Sequence, residues 1–239
     1  ANLAYNAQNV VANCMLFDKY VEELPNLKYV VFEFDYFTLE DLLTRSSDGV
    51  PLFRKFHNLP DTSLFVNLSS KLSDIPFLRT YVYECWKFKR TDYHVNEAGY
   101  VTQSKLDPFG DLDHDATRIF KTAPKRLITR HKARGIENIE GNSACIDALI
   151  ARAKTKDIQV ILLALPKYKT YLDREIPDKM RRRNIYVNKK VEDKDVIFLD
   201  YERDTRFKSP DLYLDDNHLG KKGAVIFTAM IDSVLAALK

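Results

Sequence analysis

The sequence predicts an α/β protein: a parallel sheet buried beneath helices on both faces. Three observations carry this. Leu27 to Phe34 (LKYVVFEF), Ile158 to Leu165 (IQVILLAL) and Val196 to Leu199 are short, nearly continuous apolar runs. Strands covered on both faces have that pattern, whereas half-exposed strands alternate. Segments of helical period lie between and around these runs, the order expected of βα units. Finally, 239 residues at 45% apolar and 12% aromatic are enough for a large core and exclude a disordered or low-complexity chain.

Each element has its own signal. Val10, Cys14, Phe17, Val21 and Leu24 recur at steps of three and four, which lines one face of a helix that Pro25-Asn26 ends. The first strand run follows. Ser143 to Lys156 places Ile146, Leu149, Ile150 and Ala153 on one helical face, and the second strand runs from there to Pro166. Val196 to Leu199 is the third strand, and residues 221–238 form an apolar terminal helix. Residues 46–135 interrupt the alternation and are expected to be an insertion or subdomain on a frame made of 1–45 and 136–239. Ser46-Ser47-Asp48-Gly49-Val50-Pro51 is a dense loop signal at its start. Tyr93-His94-Val95 and Tyr100-Val101-Thr102 flank a turn ending at Gly99, a hairpin pattern with glycine in the left-handed position. Asn2-Leu3-Ala4 reads as the end of a strand entering a loop.

Composition narrows the function classes. Net charge is +3, too balanced for an obligate polyanion binder. The basic clusters Lys121 to Arg134 and Arg181-Arg182-Arg183 lack aromatic interleaving, so they read as solvated helix faces, and no nucleic-acid partner is expected. No apolar run approaches the roughly 18 residues of a membrane span. Cys14, Cys85 and Cys145 are widely spaced, without CxxC; Cys14 and Cys145 lie within apolar periodic stretches and read as buried thiols, and no metal or cofactor is expected. Glycine is scarce, at 7 of 239 residues against a usual share of about 7%. The first 45 residues contain neither glycine nor serine.

Asp215-x-x-His218, in the loop before the terminal helix, is the leading chemical motif. A carboxylate three residues before an imidazole can accept its Nδ1–H, leaving Nε2 free as a base toward a hydroxyl nucleophile. Asp111-x-x-His114 has the same spacing within an acidic loop that lacks the glycine and terminal glutamate of an EF-hand, so position decides between the copies. The simpler reading of the C-terminal copy is a surface histidine with Asp215 or Asp216 as a helix N-cap.

The run from Asp211 to Ala224 resembles the last block of the SGNH (GDSL-like) hydrolase superfamily, in which the Asp and His of a Ser–His–Asp triad lie three apart before the final helix. Asn2 to Val10 (NLAYNAQNV) is similar to that family's second block, whose loop supplies an oxyanion-hole N–H. VVFEFDYF and IQVILLALP resemble its third and fourth strand segments. The likeness covers residues 1–45 and 140–238 and is greatest to bacterial cell-envelope proteins linked to polysaccharide O-acylation. It implies a flavodoxin-like α/β/α fold, a serine ester hydrolase or O-acyltransferase acting on acylated carbohydrate, and an extracytoplasmic, periplasmic setting. On this resemblance His218 and Asp215 are catalytic, and Ala7, Asn6 and Asp35 surround the oxyanion. A non-catalytic glycan- or protein-binding module is the alternative.

The sequence departs from that pattern in three ways. Alanines at 4 and 7 replace the second block's glycines, although Ala7 keeps its N–H. The third block's Gly-x-Asn is Glu33-x-Asp35, and an ionised carboxylate repels an oxyanion. Either Asp35 is protonated, or Tyr36 or Asn6 donates instead, or the hole is impaired. No serine precedes Ser46, so the nucleophile is unknown. The resemblance places it upstream of Ala1, with the first strands and any membrane-associating segment; Ser46 or Ser47 is the substitute within the chain.

Overall fold

The computed structural model describes residues 9–41, 93–95, 101–103, 135–213 and 216–238. Helix α1 (Val10–Tyr20) begins at Asn9, whose Oδ1 accepts from the Ala12 N–H at 2.8 Å, and leads to strand β1 (Tyr29–Glu33). Two three-residue strands, β2 (Tyr93–Val95) and β3 (Val101–Gln103), pair antiparallel at the predicted hairpin; Gly99 lies outside the described residues, as do Asn2 to Ala4. Then come α2 (Ile139–Lys154), β4 (Gln159–Ala164), the single turn α3 (Lys169–Leu172), α4 (Pro177–Glu192), β5 (Val196–Asp200) and α5 (Lys221–Ala237). The chain is an α/β protein whose three-stranded sheet, in the order β1-β4-β5, is parallel throughout.

Register follows from the apolar faces. Val30, Val160 and Val196 align across the sheet, as do Phe32, Leu162 and Phe198. This face packs on Val10, Cys14 and Phe17 of α1 and its C-cap Val21, on Ile146, Leu149, Ile150 and Ala153 of α2, and on Val187 of α4. The opposite face sends Leu163 and Leu199 toward Phe227, Met230 and Ile231 of α5. The helices therefore form layers on both sides, as buried parallel strands require. On β1 the α5 side is thinly covered, and Val31 keeps 45% of its surface exposed.

The entry and exit of the interrupting segment are side by side. Glu40 is buried and takes Lys179 at 3.0 Å and Arg182 on its other oxygen. The Asn142 amide donates to the carbonyls of Leu39 and Asp41, and a Cβ on Gly135 would lie 1.9 Å from the Glu40 carbonyl oxygen. Glycine at 135 is therefore needed for the closest approach.

Three expectations change. The first helix stops at Tyr20, short of Leu24, and α4 with its N1 proline at Pro177 was not foreseen. The basic triplet 181–183 is not a solvated face. Only Arg181 is fully in solvent; Arg182 is drawn onto Glu40, and Arg183 is 2% exposed between Asp200 and Glu202. Cys14 is buried as read, but Cys145 is only partly so; burial raises both thiols.

Two of the helices that feed the sheet, α2 and α4, end in the same way. The Ile158 N–H bonds the Ala153 carbonyl and the Asp157 N–H that of Lys154; the Asp195 and Lys194 N–H groups repeat this on Lys190 and Val191. These are Schellman turns, whose left-handed residue is usually glycine. Here Asp157 and Lys194 occupy it, each at φ 56°. Replacing Lys194 with glycine relieves the Cβ clash of that conformation and is expected to stabilise the fold by about 1 kcal/mol. Urea unfolding measures this; an unchanged or lower midpoint would show that Lys194 is unstrained.

Candidate functional site

The carboxyl ends of β1, β4 and β5 converge at one edge, where parallel α/β sheets bind their ligands. Glu33 ends β1 and Asp35 lies beyond it, Lys167 lies beyond β4, and Glu202 beyond β5. The loop before α5 brings Asp216, Asn217 and His218. The ladder runs past the strands to this edge, with the Phe34 N–H on the Leu163 carbonyl and the Tyr201 N–H on that of Ala164.

Lys167 sits at the centre. Its side chain is 2% exposed, and Nζ lies 2.8 Å from Asp35 Oδ2, 2.7 Å from Asn217 Oδ1 and 5.3 Å from the centre of the Tyr171 ring. Glu33 is at 4.0 Å. Burial pushes the ammonium toward its neutral form, but Asp35, Glu33 and Glu202 outweigh it, and the proton is held more tightly than usual. Around Asp35 the Tyr36 N–H donates to Oδ1 at 2.6 Å, and the Tyr171 hydroxyl reaches Oδ2 at 3.3 Å. Burial and the Asp35 charge raise Tyr171 well above its ordinary range, so it stays a donor.

The His218 loop is closed at its base. Tyr213 and Leu219 form an antiparallel bridge, the Gly220 N–H bonds the Leu212 carbonyl at 2.8 Å, and the Tyr213 hydroxyl donates to the Phe207 carbonyl. A Cβ at Gly223 would fall 2.2 Å from the Leu212 oxygen, so glycine lets the first turn of α5 seat against that base. His218 is exposed on this loop. The protein packed around Glu33 raises its carboxyl, while the charges of Lys167 and His218 oppose that rise and Asp35 reinforces it. Solvent reaches 59% of the Glu33 side chain and softens the burial. His218, Glu33 and Lys167 thus share one electrostatic environment.

No family model, curated protein or solved structure matches this chain. The site therefore stands on its geometry.

Among the sequence candidates, Asp35 and His218 come to the same edge through Lys167 and Asn217. Asp215, Ala7, Asn6, Ser46, Ser47, Asp111 and His114 lie outside the described residues. The three options for Asp35 narrow. Its oxygens accept from Lys167, Tyr171 and Tyr36, so both are committed within this cluster, and the Tyr36 N–H is already spent on it. Gly220, not Asp215 or Asp216, caps α5. Lys167, Tyr171 and Glu202 were missed. The available signal was a charged residue directly after a buried strand, at Pro166-Lys167.

Glu202 is a further buried carboxylate of the edge, beside Asp35 and Asp216. Oε2 lies 2.7 Å from Arg183 Nη1, while Oε1 has no hydrogen-bond partner among the described residues. Burial and the Asp35 charge raise its pKa from 4.5 to about 7, against the pull of Arg183. The folded chain therefore holds this proton more tightly than the unfolded chain. Its contribution to stability is complete below about pH 4.5 and is lost as pH rises through about 7. Wild type should lose stability relative to Glu202→Gln across that interval in urea titrations; parallel pH profiles would contradict the assignment.

Proposed function

We propose that this chain is an SGNH-like ester hydrolase or O-acyltransferase acting on acylated carbohydrate. The supporting observation is the delivery of the His218 loop to the carboxyl edge of a parallel sheet, beside Glu33 and Lys167. In this reading a seryl hydroxyl attacks the ester carbonyl and His218 Nε2 takes its proton. The C–O bond to the sugar breaks, and the leaving alkoxide recovers the proton from His218. Water or an acceptor hydroxyl then repeats the sequence on the acyl-enzyme. Asp215 accepts from Nδ1 and stabilises the imidazolium. In this reading the Ala7 N–H and Asn6 stabilise the oxyanion, since both Asp35 oxygens already accept hydrogen bonds, one of them from Lys167.

The same commitment supports a second reading: a glycan- or protein-binding module without turnover. A fluorophosphonate probe applied to the full-length protein separates the two. The hydrolase reading expects covalent labelling of one serine, located by mass spectrometry, with labelling and acetyl-ester hydrolysis both reduced by at least about 100-fold in His218→Ala. An unlabelled protein that binds acylated glycan without releasing acid establishes the module instead.

A further inference from the structure

The loop that carries His218 has its apolar anchor at its base, where Leu219 packs against the cluster of Leu212, Tyr213 and Phe227. Its base is fixed by the Tyr213–Leu219 bridge and the Gly220-to-Leu212 bond. Its tip takes a separate restraint, and two hydrogen bonds from the segment after β4 supply it. The Tyr168 N–H donates to the Asp216 carbonyl at 3.0 Å, Asp216 is buried, and Lys167 Nζ donates to Asn217 Oδ1 at 2.7 Å. The last of these fixes the residue adjoining His218. It is also a charge-assisted bond from a buried ammonium, the stronger kind of hydrogen bond.

Lys167 can act this way because it is itself immobilised. Asp35 Oδ2 holds the ammonium at 2.8 Å, and the backbone N–H of Lys167 donates to the Glu202 carbonyl. A lysine in solvent would fluctuate among rotamers and fix nothing. This one has been placed between the end of β1 and the histidine loop, with the end of β5 bound to its backbone.

We propose that Lys167 is a positioning residue: held by Asp35, it clamps Asn217 and thereby sets the location of the His218 imidazole relative to the carboxyl edge. The assignment rests on the reading of His218 as the base only for its catalytic consequence; the clamp itself is independent of turnover. Asp35 in this assignment is the anchor of a positioning device, and its acidity, unwelcome beside an oxyanion, is what keeps the ammonium in place.

The test uses two variants of the full chain. Asn217→Ala removes the clamp and leaves the Lys167–Asp35 pair intact, so no buried charge is left alone. Lys167→Met combined with Asp35→Asn removes both charges together and tests the same clamp from the other side. Amide hydrogen exchange is followed at residues 216–220, with β4 as the internal reference. His218 ring resonances are recorded with and without Glu33→Gln. The proposal expects exchange at 216–220 to rise about ten-fold or more in both variants while β4 stays protected, the size of one hydrogen bond to a charged group. It also expects the ring shift caused by Glu33→Gln to fall by more than half in each background, a response that simple loss of stability would not produce. In a chain that hydrolyses ester, kcat falls with KM little changed. Unchanged loop exchange and an unchanged ring response in Asn217→Ala overturn the clamp. Loop release in a chain without ester turnover supports the clamp and rejects the hydrolase reading.

Discussion

A buried ammonium group organises this protein's candidate site. Lys167 emerges from the central strand with nearly all of its side chain out of water. Desolvating a charge carries a penalty of several kcal/mol, so the surroundings must compensate it. Asp35 supplies the counter-charge, Asn217 an oxygen acceptor and Tyr171 a ring face. Each comes from a different part of the chain: the end of β1, the loop before α5 and the turn α3. On either side, backbone bonds tie the same segment to Glu202 and Asp216. Satisfying one lysine therefore fixes the relative placement of four segments, and the position of His218 is one consequence.

The sheet was legible in the sequence because apolar continuity depends on burial alone. Residues 27–34, 158–165 and 196–199 each contain the strand that formed, trimmed or extended by one or two residues at the ends. The helix ends were less legible for a physical reason. Schellman turns are normally marked by glycine, and here Asp157 and Lys194 adopt the left-handed conformation instead. A chain with 7 glycines hides its punctuation. Helix α4 was hidden differently. Its buried positions include Lys179 and Arg183, so a search for an apolar stripe passes over it. Its inward face is read by Glu40 and Glu202 through charge, and pairings between residues far apart in sequence leave no periodic trace.

The site was partly legible for a related reason. His218 stood out because its loop, the following glycine and the terminal helix form a local pattern. Asp35 also stood out, but as an anomaly: a carboxylate where an oxyanion neighbour needs a donor. Its partner is 132 residues away, and the anomaly disappears once the two meet. Lys167 itself had only the weak signal of a charge directly following a buried strand.

That meeting depends on strand register. Parallel pairing sets Glu33 opposite Leu163, and this alignment brings the residues just beyond β1 to the level of those just beyond β4. Side chains alternate between faces, so a slip of one residue would turn Phe32 and Phe34 out of the core and carry Asp35 away from the ammonium. Two separate penalties then oppose the same error: lost apolar burial and an uncompensated charge. A buried ion pair is weak evidence of added stability, since an apolar pair of similar volume often does as well. An apolar pair would accept neighbouring registers more readily, whereas Lys167 and Asp35 make the wrong ones expensive. On this argument the pair's main physical effect is selectivity among alignments. The core chooses which face of β1 is buried, and the ion pair fixes how far along β4 it lies. Because Asn217 hangs from the same ammonium, the alignment of the sheet is transmitted to the loop that holds His218.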